Sequence, residues 1–486
     1  MKKTECKAEQ VEFESAGRRR LLASFDGEYV TSDGGMLLLQ EVEQRTRILE
    51  KFADCFKDYR DPKRVKHTVL ELVSQRVLGI ACGYEDLNDH EELRKDPLLA
   101  AVIGKRDIEG GSRRSPKARG LALASPSTLN RLELTPSEAD AKARYHKIVY
   151  NDDTIKDFFV TEFLATYSEP PEQIVLDLDA TDDPIHGNQE GRFFHGYYGH
   201  YCYLPLYIFC GDFLLCAKLR QADSDGAAGA VEEVTRIVAR IRQRWPQVHI
   251  TLRADSGFAR DALMHWAEKN NVDFVFGLAG NNRLQRLITD AMDEVKAECE
   301  ASGAAVRKFC ELRYRTQKSW SCERRVVAKA EYLPGKANPR FVVTSLSKDR
   351  IDARALYEDS YCARGDMENR IKEQQLWLFA DRTSSQTMRA NQLRLYFSSV
   401  AYVLINALRH HGLKNTEMER AQAGTIRRRL FKIGAVITIS VRRVVAKLSR
   451  SSPIQKLFLK VIANLRQRLP VITAPTTSPP RLSVPA

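Results

Sequence analysis

Three short stretches of the chain hold carboxylates where they could do chemistry. In LDLDATDDPIHG, Leu176 to Gly187, Asp177 and Asp179 stand two residues apart in an otherwise apolar run, so both fall on one face of a strand. A carboxylate buried there must be paired, hydrated or bound to metal; the alternative is an exposed edge where the pair caps the following turn. In ITLRADSGFARDAL, Ile250 to Leu263, an apolar strand ends in Asp255 before a small-residue turn and a helix. The carboxyl ends of strands in open α/β sheets are where ligand sites form; a helix-initiating Asp is the plainer alternative. In YCARGDMENRIKEQQ, Tyr361 to Gln375, the residues Tyr361, Arg364, Glu368, Ile371 or Lys372, and Gln375 recur at steps of three and four and share one helical face. A solvated face is the competing reading.

Together, one carboxylate of the Asp177 and Asp179 pair, Asp255 and Glu368 can converge at one end of a sheet. Hard cations such as Mg²⁺ take oxygen ligands and use a few carboxylates plus substrate phosphate oxygens. Two such ions, ~3.5–4 Å apart, can clamp an in-line displacement at phosphorus. Arg364 and Lys372 could hold phosphates beside them. His195 and His200, in HGYYGH, read as polar loop groups, and no Gly-rich phosphate loop followed by Lys and Ser or Thr is present, so no nucleotide cofactor is expected.

The elements that must position these residues change character along the chain. Residues 1–168 read as a helical region suited to docking DNA: Val65 to Leu78 has helical apolar spacing, Asp86 to Arg94 restarts a helix, and SPSTLNRLE (Ser125 to Glu133) opens on a Ser-Pro entry signal. Pro170-Pro171 marks a boundary. Ile174–Ala180, Tyr203–Phe209 and Phe213–Leu219 then read as strands, Asp225–Trp245 as a helix, Val248–Arg253 as a strand, Arg260–Asn270 as a helix and Val272–Gly277 as a strand. That order predicts an α/β fold with an RNase H-like catalytic core, its first part at 169–280. A helix and a β-rich insertion follow at 281–350, the Glu-bearing helix at 351–383, a basic helical region at 384–469 and a disordered Pro/Thr/Ser-rich tail at 470–486.

Composition narrows the partners. The chain of 486 residues carries 76 Lys and Arg against 63 Asp and Glu. From Ser384 onward there are 18 bases and two acids, Glu417 and Glu419, leaving 58 bases and 61 acids in the first 383 residues. The whole excess lies at the C-terminal end, the mark of a polyanion footprint, most simply DNA or RNA; a soluble Arg-rich helical region and an acidic membrane surface are the alternatives. Leu395–Leu408 is too short to span a bilayer and reads as a core helix. The N-terminus is not a secretory signal, and ten scattered cysteines without a C-x2-C pair indicate reduced thiols in a cytoplasmic protein.

The stretches DLDATDDPIHGNQEG (Asp177–Gly191) and RADSGF (Arg253–Phe258), with Tyr361, Arg364 and Glu368 spaced as Y-x2-R-x3-E, resemble bacterial insertion-sequence transposases of the DDE superfamily. The likeness is greatest to the group numbered thirteen-eighty and runs over most of residues 10 to 460. It implies that Asp179, Asp255 and Glu368 are catalytic and hold two Mg²⁺ ions, with Mn²⁺ as a substitute. Asp179-Ala180-Thr181 fits the family's first Asp better than Asp177. The likeness implies double-stranded DNA as partner, both transposon ends and target, a homodimer on that DNA, cleavage at inverted repeats and joining to target. Tyr361 and Arg364 accompany the Glu. The superfamily's Lys seven positions after it is Gln375 here, with Lys372 as a possible substitute. A Trp in the insertion of related enzymes stacks on an extruded base, and Trp320 is the candidate by position; a partly buried strand Trp is the alternative. A nuclease that cuts without rejoining, and a silent transposase-derived DNA-binding repressor, are the other functions compatible with these residues.

Overall fold

The computed structural model describes residues 11–13, 21–24, 27–113 and 115–467, so the Pro/Thr/Ser-rich segment from Pro470 lies outside the described residues. At its centre the alternation read from IVLDLDA becomes strand β1 (Gln173–Ala180). Its Ile174, Leu176 and Leu178 enter one core with Ile250, Leu252 and Ala254 of β4 (His249–Ala254), and period two turns Asp177 and Asp179 to the opposite face. β2 (Leu206–Cys210) runs antiparallel to β1, and β3 (Phe213–Lys218) antiparallel to β2 through the two-residue turn Gly211-Asp212, where Gly211 has φ 56°. β4 is parallel to β1, and β5 (Asp273–Leu278) is parallel to β4.

Three long strands of the insertion, β6 (Val306–Tyr314), β7 (Arg324–Leu333) and β8 (Arg340–Thr344), continue this sheet. The spatial order is β3-β2-β1-β4-β5-β8-β7-β6. The β-rich stretch is therefore an extension of the main sheet, because β8 pairs antiparallel along the open side of β5. Helices α4 (Ala230–Arg244) and α5 (Asp261–Lys269) cover one face of the sheet with Val234, Ile237, Ile241, Leu263 and Met264. On the other face, α7 (Gly365–Leu378) and α8 (Met388–Leu408) bring Met367, Ile371 and Tyr402 against Tyr207 and Phe209.

Two readings of the sequence are revised. The run Tyr203–Phe209 is not one strand. It divides at Leu204-Pro205, where the missing N–H interrupts a ladder; His200–Tyr203 joins a small sheet with Asp183–Pro184 and Phe193–His195, and Leu206–Cys210 enters the central one. The C-terminal region is not wholly helical. β9 (Ala435–Ile439) and β10 (Val444–Leu448) form a ribbon, and β9 also pairs with Tyr29–Thr31.

The N- and C-terminal regions share one core. Helix α1 (Val69–Cys82) begins at Thr68, whose side chain and that of Glu71 cap each other's backbone, and ends at Gly83 with φ 96°. Its Leu72, Val73 and Val77 pack in the cluster that holds Leu393, Tyr396 and Phe397 of α8 and Val461 of α9 (Gln455–Arg466). Among the described residues no helix is long and apolar enough to cross a membrane, and α8, which contains Leu395–Leu408, is largely buried.

Candidate active site

The register of β1 against β4 fixes the first two carboxylates. Asp177 pairs with Arg253 and Leu178 with Ala254. One step further, Asp179 and Asp255 leave the carboxyl ends of neighbouring parallel strands, whose backbones lie about 4.7–4.9 Å apart. Asp255 is pinned by the turn that follows: its side chain accepts a 2.8 Å bond from the Gly257 N–H. Asp179 accepts from the Ala180 N–H at 2.9 Å and is mostly buried.

The third carboxylate arrives from the other face of the sheet. The chain turns helical after Asp352, which caps Arg354 and Ala355, widens to a π-turn over Leu356–Tyr361, tightens at Cys362–Arg364 and becomes regular in α7. Such widened turns re-aim side chains. Here they aim Tyr361 and Arg364 at the strand ends. The Arg364 guanidinium lies 2.6 Å from Glu368 and 3.6 Å from Asp179. Against the cost of burial, the charges of Asp179 and Glu368, with those of Tyr361 and Asp255 after them, raise its pKa. The Asp179 carboxyl is pushed up to about 7, by burial first and by Asp255 and Glu368 as well, against the opposing pull of Arg364 and the Ala180 N–H.

The donor set therefore suits a hard cation, since it consists of carboxylate oxygens that repel one another and are held together by a guanidinium. It is not closed around an ion as it stands: among the described residues no three acidic, His or Cys side chains are so arranged. The reason lies in the rotamers. Glu368 is turned to Arg364, and Asp255 to Gly257. The Glu368 side chain is 41% exposed.

The other acids of the motif have separate work. Asp177 is buried in a two-toothed ion pair with Arg253, at 2.5 and 2.8 Å, and Arg253 also donates to the Ser360 carbonyl at 2.7 Å. It ties β1, β4 and the π-turn together. Asp182 holds His200 at 2.8 Å, and His200 and His195 pair across two short strands rather than lying in a loop. Asp183 is fully buried, its carboxyl is driven far above the usual range by desolvation, and it accepts from the Gln375 amide at 3.0 Å. Gln375 also donates to the Asp182 carbonyl at 3.1 Å, so the residue at the superfamily's Lys position braces the loop that follows Asp179. Lys372 is exposed on α7, one turn beyond Glu368. Trp320 is only 4% exposed, set edge-on against Tyr314 and beneath Arg324 in the core under the extended sheet. It presents no open ring face, and the structure does not bring it to the carboxylates.

Two contributors escaped the sequence reading. Arg253 lay inside the quoted RADSGF without a role; its place two residues before Asp255, matching Asp177 before Asp179, was the available signal. The other is Gly277 on β5. A Cβ there would lie 2.5 Å from the Tyr361 hydroxyl and 3.0 Å from the Ser256 N–H. The absent side chain is what lets Tyr361 reach the Asp255 turn. Gly277→Ala is expected to keep the fold while displacing Tyr361, lowering turnover by about 10–10². Steady-state rates beside a thermal melt check this, and an unchanged rate would remove Tyr361 from the site.

The family model described as Transposase DDE domain group 1 matches residues 13–470 of this chain, a span that contains Asp179, Asp255, Arg364 and Glu368. No curated protein matches the chain.

Proposed function

The chain belongs to the transposase family defined by the group 1 DDE domain, and from that premise we propose that Asp179, Asp255 and Glu368 are the catalytic trio of an enzyme that cuts the inverted-repeat ends of an insertion sequence and joins them to target DNA. One observation supports the reading: Arg364 of the α7 entry lies 2.6 Å from Glu368 and 3.6 Å from Asp179, and Asp179 leaves the strand next to the one that ends in Asp255. The antiparallel β3-β2-β1 and parallel β1-β4-β5 order supports an RNase H-like core, with β6 to β8 as its insertion. The spacing of Tyr361, Arg364 and Glu368 supports the group numbered thirteen-eighty.

Asp179 and Asp255 are fixed by strand ends and backbone bonds, so they define the floor of the site. With Glu368 turned from Arg364, the three carboxylates would hold two Mg²⁺ ions, for which Mn²⁺ can substitute. Such ions neutralise the attacking and leaving oxygens of a phosphoryl transfer. Arg364, released from Glu368, offers its planar fork to a phosphate, with Lys372 and the Tyr361 hydroxyl beside it. Gln375 positions the Asp182-Asp183 loop. Since two ends must be joined in one event, the active form is a homodimer on DNA.

The test incubates the purified protein with DNA carrying the sequences that flank its gene, with Mg²⁺ or with EDTA. Cleavage at the element's ends and strand-joined products are expected with Mg²⁺ only. Cleavage without joining would assign a nuclease, and metal-independent binding without cleavage a silent DNA-binding descendant.

A further inference from the structure

Side-chain contacts inside the molecule account for part of the C-terminal charge excess, and the densest group left exposed lies on one ribbon. Six of the cations on or beside the helices make contacts inside the molecule, while Lys414, Arg420, Arg428 and Lys456 are exposed without an ion pair among the described residues. Arg394 binds Glu133 at 2.7 Å and Arg466 binds Glu41 at 2.5 Å. Lys432 binds Asp33 at 2.7 Å, Arg409 binds the buried Glu373, and Arg427 donates to the carbonyls of Ala81 and Ile80 at 2.9 and 3.0 Å. Arg389 donates to the Tyr150 carbonyl at 2.9 Å and lies over the Tyr150 ring. These six groups bind the ends of the chain to one another.

The densest exposed group is on the ribbon. Arg442, Arg443, Lys447 and Arg450 fall within nine residues, all are exposed, and none makes an ion pair among the described residues. β9 and β10 are joined by a tight two-residue turn, Val441-Arg442, with Ser440 and Arg443 bonded through their backbones in both directions. Val441, at the tip, is fully exposed. The ribbon is not a loose arm. Ala435 and Ile437 are buried, and Ile439, Val444, Ala446 and Leu448 pack against the same core, leaving Thr438, Val445 and Lys447 outward. It is a two-stranded ribbon with an apolar face inward, cations outward and an apolar side chain at its tip.

We propose that the β9–β10 ribbon is a duplex-DNA contact of this protein, with Arg442, Arg443, Lys447 and Arg450 on phosphates and the Val441 tip entering a groove. The proposal rests on the DDE reading only for the identity of the polyanion as DNA. A two-stranded ribbon is of a width that a B-DNA major groove admits, and unpaired exposed cations are what counter-ion release requires. A blunted edge strand explains one Lys on β10, but it does not require two Arg at the tip.

The experiment measures duplex-DNA affinity against salt concentration for the full chain and for a variant carrying Arg442→Ser, Arg443→Ser, Lys447→Ser and Arg450→Ser. Each phosphate contact contributes about 0.9 to the log–log salt slope. The variant is expected to lose about 3 to 4 from that slope and at least tenfold in affinity at low salt, with an unchanged thermal melt and an unchanged Mg²⁺-induced melting shift. Val441→Ser should weaken binding without altering the slope. Asp179→Asn should abolish the Mg²⁺ shift and leave the slope intact, so failure of the trio and failure of the ribbon read out separately. An unchanged slope in the fourfold variant would overturn the proposal. So would self-association of that variant at an unchanged slope, which would assign the cations to edge protection, or loss of binding to phosphatidylserine vesicles with DNA binding retained.

Discussion

Asp179→Asn is expected to lower DNA cleavage by at least about 10³-fold and, in the same protein, to raise the stability of the metal-free form above pH 7. The first effect follows because two-metal stabilisation is worth several kcal/mol and each 1.36 kcal/mol is a factor of ten. The second follows from where the carboxyl titrates. Burial, with Asp255 and Glu368, raises it to about 7, whereas an unfolded aspartate ionises near 3.9. The folded protein therefore keeps a proton that the unfolded chain gives up. That contribution is whole below pH ~4 and is lost as pH rises through ~7. An amide has no such loss, so the gain appears at pH 8, on the order of 1–3 kcal/mol, and is absent at pH 4. Asp177→Asn should do the reverse. It leaves Arg253 buried beside a neutral group and costs about 3–5 kcal/mol, with the Mg²⁺-induced melting shift retained. Melts at pH 4 and pH 8, with and without Mg²⁺, separate the two aspartates. If Asp179→Asn is destabilised at pH 8 as much as Asp177→Asn, Asp179 is a structural group and the trio is wrong.

That contrast marks the limit of what the residues alone disclose. Asp177 and Asp179 share a face by period two, and the sequence offers nothing local to tell them apart. The difference is made by Arg253, which lies 76 residues from Asp177 and opposite it only because β4 pairs parallel to β1 in that register. The central strands were legible because their apolar runs are short, β-branched and bounded by turns. The insertion strands were legible by alternation, yet their joining to the main sheet was not, since an edge partner leaves no local signature. The ribbon at Ala435–Leu448 was hidden by its composition: GAVITISVRRVVAKL carries helix-tolerant Arg and Lys among its β-branched residues, and its pairing with Tyr29–Thr31 spans the whole chain. The Tyr361, Arg364 and Glu368 spacing correctly gave one face, although the backbone reaches it through π- and 3-10 turns that no periodicity predicts.

Glu133→Ala is expected to lower stability by about 3–5 kcal/mol, more than any exposed substitution in the chain. Glu133 ends α2 (Pro126–Glu133) with a fully buried side chain. One of its oxygens takes Arg76 of α1 at 3.0 Å, and the other takes Arg394 of α8 at 2.7 Å. The two guanidinium side chains are 4% and 16% exposed, so removing the carboxylate strands two neighbouring positive charges away from water. The exposed Arg47–Glu50 pair is the control, and Glu50→Ala should leave the unfolding midpoint where it is. Replacing the triad as a unit by apolar side chains of similar volume, Arg76→Met, Glu133→Leu and Arg394→Met, should recover much of the loss, because the cost lies in uncompensated charge rather than in a missing bond. Urea titrations of the four proteins decide it. Because Arg76 and Arg394 come from opposite ends of the chain, a single cooperative transition that shifts as a whole with Glu133→Ala makes the two terminal regions one folding unit around the sheet. Two separated transitions, with only one of them moved, would instead make the shared core a contact between independently stable parts, and the strand ends that carry Asp179 and Asp255 would then not depend on α8 for their support.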